Sequence, residues 1–218
     1  MAEPIVELED ITFAYPSTGR VLDGLNFKLY LGDRIGISGP NGSGKTTLFH
    51  IIMGLLRPES GTVRIFGRTR KKEEDFREVR ERIGLLMQDP DDQLFCPTVE
   101  EDIAFGPLNL GKPRDEVRRI VQDVIELLGL EGKERRFSYA LSYGEKRLVS
   151  LATVLAMQPE VLLLDEPTAG LDEETYRKIV NFLNSRDGLT YCVVSHDLSL
   201  LEEVTDKVYR IMNGKLMC

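Results

Sequence analysis

The segment Gly39–Thr46 constrains the fold more than any other part of the chain. Its sequence, Gly-Pro-Asn-Gly-Ser-Gly-Lys-Thr, fits the pattern G-x-x-x-x-G-K-[ST]. Apolar periodicity predicts a strand before it, Arg34–Ser38, and a helix after it, from Lys45 to about Gly54. In that context main-chain N–H groups converge on phosphate oxygens at the positive end of a helix. The alternative is an ordinary glycine turn that caps a helix, but the flanking elements favour nucleotide binding.

This loop predicts an ATP site that also holds Mg²⁺. We expect Lys45 to reach the β- and γ-phosphates and Thr46 to place its hydroxyl on the metal. The other loop residues predicted to bind ATP are Gly39, Asn41, Gly42, Ser43, Gly44 and Thr47.

A second acidic motif follows the apolar run Val161–Leu164. Four consecutive apolar residues predict a strand that is buried on both faces, and Asp165 and Glu166 stand at its carboxyl end. Asp165 can hold Mg²⁺ through water, and Glu166 can orient or polarise the attacking water. A buried strand that simply ends at solvent could show the same sequence. The two acids indicate a nucleotide site only because a phosphate loop precedes them in the chain.

Strands and helices alternate along the chain, which predicts one α/β unit over residues 1–218 with a largely parallel sheet and ligands at its carboxyl edge. A strand is predicted to alternate from Leu25 to Leu31, and mixed charges over Arg68–Arg82 predict a solvated helix or loop. The middle of the chain predicts an inserted helical part. Its helices are expected over Pro113–Leu128, ended by Gly129, and Gly144–Met157, with a capping box at Thr98–Glu101.

Composition narrows the function classes. Lys and Arg number 28 against 36 Asp and Glu, a net charge of −8, which disfavours a protein that coats nucleic acid. The apolar stretches are shorter than the roughly 20 residues of a membrane span, and the acidic N-terminus does not resemble a signal peptide. Three separated cysteines suit a reducing cytoplasm. We therefore expect a soluble chain whose membrane role, if any, depends on another polypeptide.

Between the two nucleotide motifs, Leu141-Ser-Tyr-Gly-Glu145 resembles the LSGGQ signature of ABC ATPases. The other elements of that family occur in order around it: Tyr15, Gln88, the segment Ala169–Asp172, and His196. The resemblance covers essentially the whole chain. It implies a P-loop NTPase core with a mostly parallel sheet, an N-terminal antiparallel β part and a helical subdomain inserted at roughly 92–157.

The resemblance also implies roles for single residues. Tyr15 would stack on adenine rather than serve as a turn tyrosine, and Gln88 would be the switch glutamine that contacts Mg²⁺ and water. His196 would contact the γ-phosphate, although a lone histidine is more often structural. Asp172 would be the D-loop aspartate at the dimer interface, and before Glu173 and Glu174 it also suits a helix N-cap.

In the family, the signature binds the γ-phosphate held by the opposite subunit, which implies a head-to-tail pair around two ATP molecules. Ser142, Gly144 and Glu145 are the candidate contacts here. Tyr143 replaces a glycine and Glu145 a glutamine of the consensus, which leaves the turnover rate and the dimer affinity open.

The stretch Gln88–Phe95, followed by Pro97–Pro107, is similar to the ATPases of energy-coupling-factor importers, which take up cobalt, nickel or vitamins. The resemblance implies docking of a transmembrane partner just after Gln88. Asp91 and Asp92 would pair with basic residues of the partner, and Leu94 and Phe95 would fill a groove. The alternatives are a solvated turn after Pro90 and local packing. The subfamily usually extends beyond the position of Cys218, so a stable dimer without ATP is not expected.

Three hypotheses follow. The first is an ATP-hydrolysing subunit of a membrane importer for cobalt, nickel or a vitamin, peripheral on the cytoplasmic face of the cell membrane, with a second ATP-binding subunit, identical or not, and no nucleic acid. The second is a non-transport ABC ATPase of repair, chromosome structure or translation. The third is a nucleotide-gated interaction module with little hydrolysis, which the departures at Tyr143 and Glu145 allow.

Overall fold

The structure is a computed structural model that describes residues 3–17, 19–186 and 188–217. Thr18 and Cys218 lie outside these ranges. Among the described residues, the N-terminal part forms a four-stranded sheet in the order β2-β1-β4-β5, with antiparallel neighbours. Its strands are β1 (Val6–Tyr15), β2 (Gly19–Leu29), β4 (Ser60–Ile65) and β5 (Arg68–Thr69).

A second sheet of six strands follows the order β10-β9-β3-β8-β7-β6 within the described ranges. Its strands are β3 (Arg34–Ser38), β6 (Ile83–Leu86), β7 (Val161–Asp165), β8 (Thr190–Val194), β9 (Lys207–Met212) and β10 (Lys215–Met217). All neighbours pair in parallel except β9 and β10. The parallel sheet is confirmed, and its topology brings the carboxyl ends of β3, β6, β7 and β8 to one edge.

The helices pack around both sheets. They are α1 (Lys45–Ile52), α2 (Asp75–Arg82), α3 (Val99–Asn109), α4 (Arg114–Leu128), α5 (Tyr143–Ala156), α6 (Glu173–Asn184) and α7 (Leu198–Val204). Helices α3, α4 and α5 pack against one another, and α5 also contacts β6 and α6. The treatment of residues 92–157 as an inserted subdomain stays a prediction. In the described ranges, none of these helices has both the length and the apolar character that a membrane span requires.

Local sequence signals explain where several elements begin and end. At the start of α3, Thr98 and Glu101 form the predicted capping box, in which the Thr98 N–H donates to Glu101 Oε2 at 3.0 Å. At the end of α4, Gly129 takes the left-handed conformation with φ of 64°, which glycine adopts without steric cost. Strand β7 is buried along its whole length, as its apolar run predicts.

Two expectations differ from the structure. Leu31 does not continue the β2 alternation and is 74% exposed, because the chain turns where the Asp33 carboxylate accepts the N–H of Tyr30 at 2.8 Å. The segment Arg68–Arg82 is not simply solvated, since Phe76 and Val79 of α2 pack in the core under the N-terminal sheet.

Candidate nucleotide site at the carboxyl edge of the sheet

A cleft of about 490 Å³ lies at the carboxyl ends of β3 and β7. It is lined by Tyr15, Arg20, Val21, Asn41, Gly42, Ser43, Gly44, Lys45, Thr46, Thr47, Gln88, Asp165 and Glu166. Its volume falls in the usual range for small-molecule sites. The fold thus brings the predicted ATP-binding residues together with both predicted carboxylates. Gly39 and His196 are not among the lining residues: Gly39 stands at the start of the phosphate loop, and His196 contacts the lining residue Glu166.

The loop between β3 and α1 is shaped by a close approach of the main chain to β2. Gly44 caps α1 with φ of 104°, and an added Cβ would lie 2.6 Å from Leu22 Cδ2. A larger residue there would be strained and would clash with buried core. Lys45 is buried, and its Nζ donates to the carbonyls of Gly39 at 2.9 Å and Pro40 at 3.2 Å. Its ammonium is therefore held over the loop, where it can meet phosphate oxygens.

Asp165 and Thr46 form a site whose chemistry suits Mg²⁺. Burial raises the pKa of Asp165, the neighbouring Glu166 carboxylate adds to the rise, and the Thr46 hydroxyl opposes it. Asp165 Oδ1 is buried and has no hydrogen-bond partner within the described residues. A buried, unpaired carboxylate oxygen beside a hydroxyl is satisfied by a hard cation that prefers oxygen ligands. The residues present therefore fit the metal.

Glu166 is held by its main chain and by its side chain. Its φ of 46° lies in the left-handed region, which is strained for a residue with a side chain. Its carboxylate accepts the Ser195 hydroxyl at 2.9 Å and the main-chain N–H of His196 at 3.0 Å, and Oε2 lies 3.0 Å from His196 Nδ1. These contacts fix the carboxylate at the cleft, in a position suited to orienting a water molecule.

The Tyr15 side chain also lines the cleft. Its hydroxyl is 3.2 Å from Thr47 Oγ1, and its ring meets Phe13 edge to face at 4.8 Å. The contact places the Tyr15 hydroxyl next to Thr47 at the end of the phosphate loop, while stacking on adenine stays a prediction. Arg20 also lines the cleft, and sequence reasoning missed it although it stands only five positions after Tyr15.

The signature residues begin α5 and lie outside the lining of the cleft in the same chain. Ser142 and Glu145 form a reciprocal capping box, in which Glu145 Oε2 accepts the Ser142 N–H at 2.8 Å. Lys133 at 2.8 Å and Arg136 at 3.1 Å also bind this carboxylate. The Lys133 hydrogen bond is the main reason that the pKa of Glu145 falls to about 2.

Gly144 brings the signature against the segment that begins α6. An added Cβ would lie 2.9 Å from Thr175 Oγ1 and 3.1 Å from Asp172 Oδ2. Asp172 caps α6 by accepting the Thr175 N–H at 3.0 Å, so the predicted N-cap is confirmed. The fold therefore brings the signature into contact with the segment Ala169–Asp172 before α6 (the Asp172 loop) within one chain. Tyr143, which replaces the consensus glycine, is half-exposed and its ring lies over Gly170.

The stretch after Gln88 has mixed surroundings. Asp91 and Asp92 are both exposed, and Asp91 forms an ion pair with Lys146 of α5 at 2.6 Å. Leu94 is partly buried against the core, as local packing requires, and Phe95 is 67% exposed. The Phe95 ring meets Phe105 of α3 edge to face at 4.7 Å. Of the four docking candidates, Asp91, Asp92 and Phe95 expose their side chains to solvent, although Lys146 pairs with Asp91.

Two further residues at this edge escaped sequence reasoning. Ser195 binds Glu166, and its only sequence signal is that it stands before His196 at the end of an apolar strand. Arg147 is completely buried and donates to main-chain carbonyls of the β6 and β7 ends. Its signal is a charged residue on the apolar face of a helix, four positions before Leu151 and seven before Val154.

Comparison with known proteins gives consistent matches. The ABC transporter family profile matches residues 22–169. The energy-coupling factor transporter ATP-binding protein EcfA of Methanocaldococcus jannaschii is 46% identical over 98% of this chain and 77% of that protein. Its namesake in Methanothermobacter thermautotrophicus is 43% identical over 98% of this chain and 70% of that protein.

Solved structures agree with the fold. CbiO1 of Clostridium perfringens, part of the ABC transporter complex cbiONQ, has a TM-score of 0.87 and 34% identity over 99% of this chain and 88% of that chain. A dimeric ATP-binding cassette in a post-hydrolysis state, bound to ADP and Pi, has a TM-score of 0.87 and 27% identity, over 97% of this chain and 96% of that one. The expected α/β fold of ABC ATPases is confirmed. This chain belongs to the ABC transporter family of ATP-binding proteins, whose members are ATPases.

Proposed function

We propose that this chain is the ATP-hydrolysing subunit of a membrane importer of the energy-coupling-factor type, which works on the cytoplasmic face of the membrane. One observation carries the proposal: Lys45, Thr46, Asp165 and Glu166 line one cleft in a chain 46% identical to a protein named for that transporter. The solute is proposed to be cobalt, nickel or a vitamin, because those are the cargoes of the importers that the sequence resembles.

In this proposal, the loop Gly39–Thr47 binds the phosphates of ATP. Its main-chain N–H groups and the start of α1 supply a positive field, and Lys45 neutralises the charge on the β- and γ-phosphates. Tyr15 stacks on the adenine ring. Thr46, Asp165 and Gln88 would hold Mg²⁺, which supplies charge neutralisation on the phosphates when it is bound.

Hydrolysis is assigned to residues at the ends of β7 and β8. Glu166 orients the attacking water and accepts its proton, because its carboxylate is held at the cleft by Ser195 and His196. His196 contacts the γ-phosphate with its ring, which is 64% exposed and therefore free to meet the ligand. Gln88 senses the γ-phosphate side of the cleft from the end of β6.

A second ATP-binding subunit is proposed to complete each site. Ser142, Gly144 and Glu145 would contact ATP held by the partner, and Asp172 would lie at the interface. The support is their position at the start of α5 and α6, outside the cleft lining of their own chain. ATP would then close the pair, and hydrolysis would let it reopen.

The transmembrane subunits are proposed to dock beside Gln88. A groove of about 280 Å³, which includes Phe95 and Phe105, opens there between the end of β6 and α3. Exposed aromatic rings next to the exposed acid Asp92 suit a partner helix with an apolar face and a basic residue. Asp91 contributes less in this scheme, because Lys146 already neutralises it.

The experiment is to isolate the native membrane complex through this chain, identify its partners and reconstitute it in vesicles. We expect ATP-dependent uptake of one of the named cargo classes, and uptake that is lost when Phe95→Ala and Phe105→Ala are combined. A matched control is Leu198→Ala, another exposed apolar residue but on α7. Co-purification without any membrane protein, or uptake that does not require ATP, would contradict the proposal.

A further inference from the structure

Arg147 is the largest completely buried side chain of the described residues. It belongs to the first turns of α5, two residues after the signature residue Glu145. Removing a guanidinium from water is costly unless each donor finds an acceptor. The contacts of Arg147 therefore indicate what the fold gains from it.

Among the described residues, all the hydrogen bonds of this guanidinium go to main-chain carbonyl oxygens. Its Nη2 donates to Asp165 at 2.6 Å and Glu166 at 2.8 Å, and its Nε donates to Pro167 at 3.0 Å. Its Nη1 donates to Gln88 at 3.0 Å and to Met87. One planar group thus connects the chain after β6 with the last residue of β7 and the chain after it.

These carbonyls belong to the two segments that carry the proposed switch glutamine and catalytic carboxylate. Apart from Asp165, the last residue of β7, these residues lie beyond the strand ends, where the main chain has left the sheet and its carbonyl groups need other donors. Glu166 also has a left-handed φ of 46°, a conformation that persists only when its surroundings impose it. Arg147 binds the carbonyl of Glu166 and those of both its neighbours, and so supports this strained turn.

The same helix turn is tied to its surroundings by the residues just before Arg147. Glu145 caps the helix and binds Lys133 and Arg136, and Lys146 pairs with Asp91 after Gln88. Burial lowers the pKa of Arg147 to about 10, so the guanidinium remains charged at neutral pH. Hydrogen bonds and ion pairs therefore connect the signature at the start of α5 with two other segments. These are the segment after β6 that carries Gln88 (the Gln88 loop) and the turn after β7 at Glu166 (the Glu166 turn).

We propose that Arg147 is a positioning residue for hydrolysis: it holds the Gln88 loop and the Glu166 turn in fixed geometry relative to the signature helix. The inference rests on the proposed role of Glu166. It predicts that losing hydrogen bonds of the Arg147 guanidinium lowers kcat and leaves ATP affinity nearly unchanged. The reason is that none of the hydrogen bonds described for Arg147 goes to the phosphate loop.

The test compares Arg147→Lys with Arg70→Lys in the full chain, with kcat, KM and ATP affinity measured below the unfolding temperature. Lysine keeps the charge but cannot reach all five carbonyls from one nitrogen. Arg70 is the matched control, since it is also buried and donates to the carbonyls of Ile65 and Asp75, away from the cleft. Both variants should be less stable, but only Arg147→Lys should lose activity.

We expect kcat to fall by about tenfold or more in Arg147→Lys, with KM and the ATP dissociation constant within about threefold of wild type. Unchanged kcat, or a loss matched by Arg70→Lys at equal stability, would overturn the inference. Arg147→Gln provides a neutral second variant, and failure of both variants to fold would assign Arg147 a structural role instead. Glu166→Gln is measured in parallel. If Glu166→Gln keeps wild-type turnover, the proposed function fails. If Glu166→Gln is inactive but Arg147→Lys keeps wild-type turnover, only the inference about Arg147 fails.

Discussion

His196 and Glu166 are joined twice, by a hydrogen bond of 3.0 Å from the His196 main-chain N–H to Oε1 and by a 3.0 Å contact between His196 Nδ1 and Oε2. The Glu166 side chain is only 8% exposed, whereas the imidazole is 64% exposed. The carboxylate is therefore fixed from its buried side, and the ring extends from it into solvent at the cleft. Substitution of the residues that bind the Glu166 carboxylate, Ser195 and His196, therefore tests its position as directly as substitution of Glu166 itself.

Ser195→Ala tests the support from beneath. The Ser195 hydroxyl donates to Glu166 Oε2 at 2.9 Å and is buried. A hydrogen bond to a charged group contributes about 1.5–3 kcal/mol, so we expect kcat to fall by roughly tenfold or more. Steady-state kinetics should show little change in KM. Ser185→Ala is the control, because that hydroxyl donates to the Phe182 carbonyl at the end of α6 and does not contact Glu166, and an equal loss there would refute the expectation.

Asp165→Asn tests the metal site through stability. Because burial raises the folded-state pKa of Asp165, the ionised carboxylate destabilises the metal-free fold. This penalty is complete above the folded-state pKa and disappears below the unfolded value of about 3.9. We therefore expect Asp165→Asn to raise the metal-free urea midpoint at pH 8, with a gain that shrinks as the pH falls toward that value.

The same variant should lose its response to the metal. In wild type, Mg²⁺ with a non-hydrolysable ATP analogue should raise the unfolding temperature more than the analogue alone. In Asp165→Asn the difference between those two conditions should largely vanish. An undiminished Mg²⁺ effect in the variant would remove Asp165 from the metal site.

Gly144→Ala tests the contact between the signature and the Asp172 loop. An added Cβ would lie 2.9 Å from Thr175 Oγ1, so the loop must shift, and overpacking of this kind costs about 1–3 kcal/mol. We expect lower thermal stability. Combining it with Thr175→Ala should cost less than the sum of the single changes, because the alanine gives the new methyl group room. Strict additivity would show that crowding against Thr175 is not the cause of the loss.

Glu145→Gln tests the ionic role of this departure from the consensus. The amide can keep the capping box with Ser142 but loses the ion pairs with Lys133 and Arg136. Because the folded-state pKa is about 2, the carboxylate stabilises the fold above its usual value of 4.5 and loses this effect as the pH falls toward 2. The urea midpoint of the variant should be lower than that of wild type at pH 7, and the difference should be smaller at pH 3.

The positions of the main elements were predictable because their sequence signals are local. The strand Arg34–Ser38 has the predicted bounds, and the carboxyl-edge rule for parallel strands places Glu166 and His196 together. The short strand β10 was not predicted, since its three residues pair only with β9 and have too little periodicity to detect.

Contacts between distant segments were not predictable. Arg147 meets carbonyl groups about 20 and 60 positions away in the chain, and main-chain acceptors leave no trace in residue identity. The pairing of Asp91 with Lys146 is similar, because charge pattern alone could not choose between a partner protein and α5. Such contacts can be identified only in the folded structure, where the ends of several strands lie at one edge of the sheet.

The most direct measurement of the central claim compares wild type and Glu166→Gln with Mg²⁺ and ATP, by phosphate release and by light scattering after size-exclusion chromatography. We expect that Glu166→Gln binds ATP, releases phosphate at least about 100-fold more slowly, and accumulates as a pair of twice the 24.7 kDa chain mass. Wild-type phosphate release by Glu166→Gln, with no ATP-dependent pair, would contradict the assignment of Glu166 to hydrolysis.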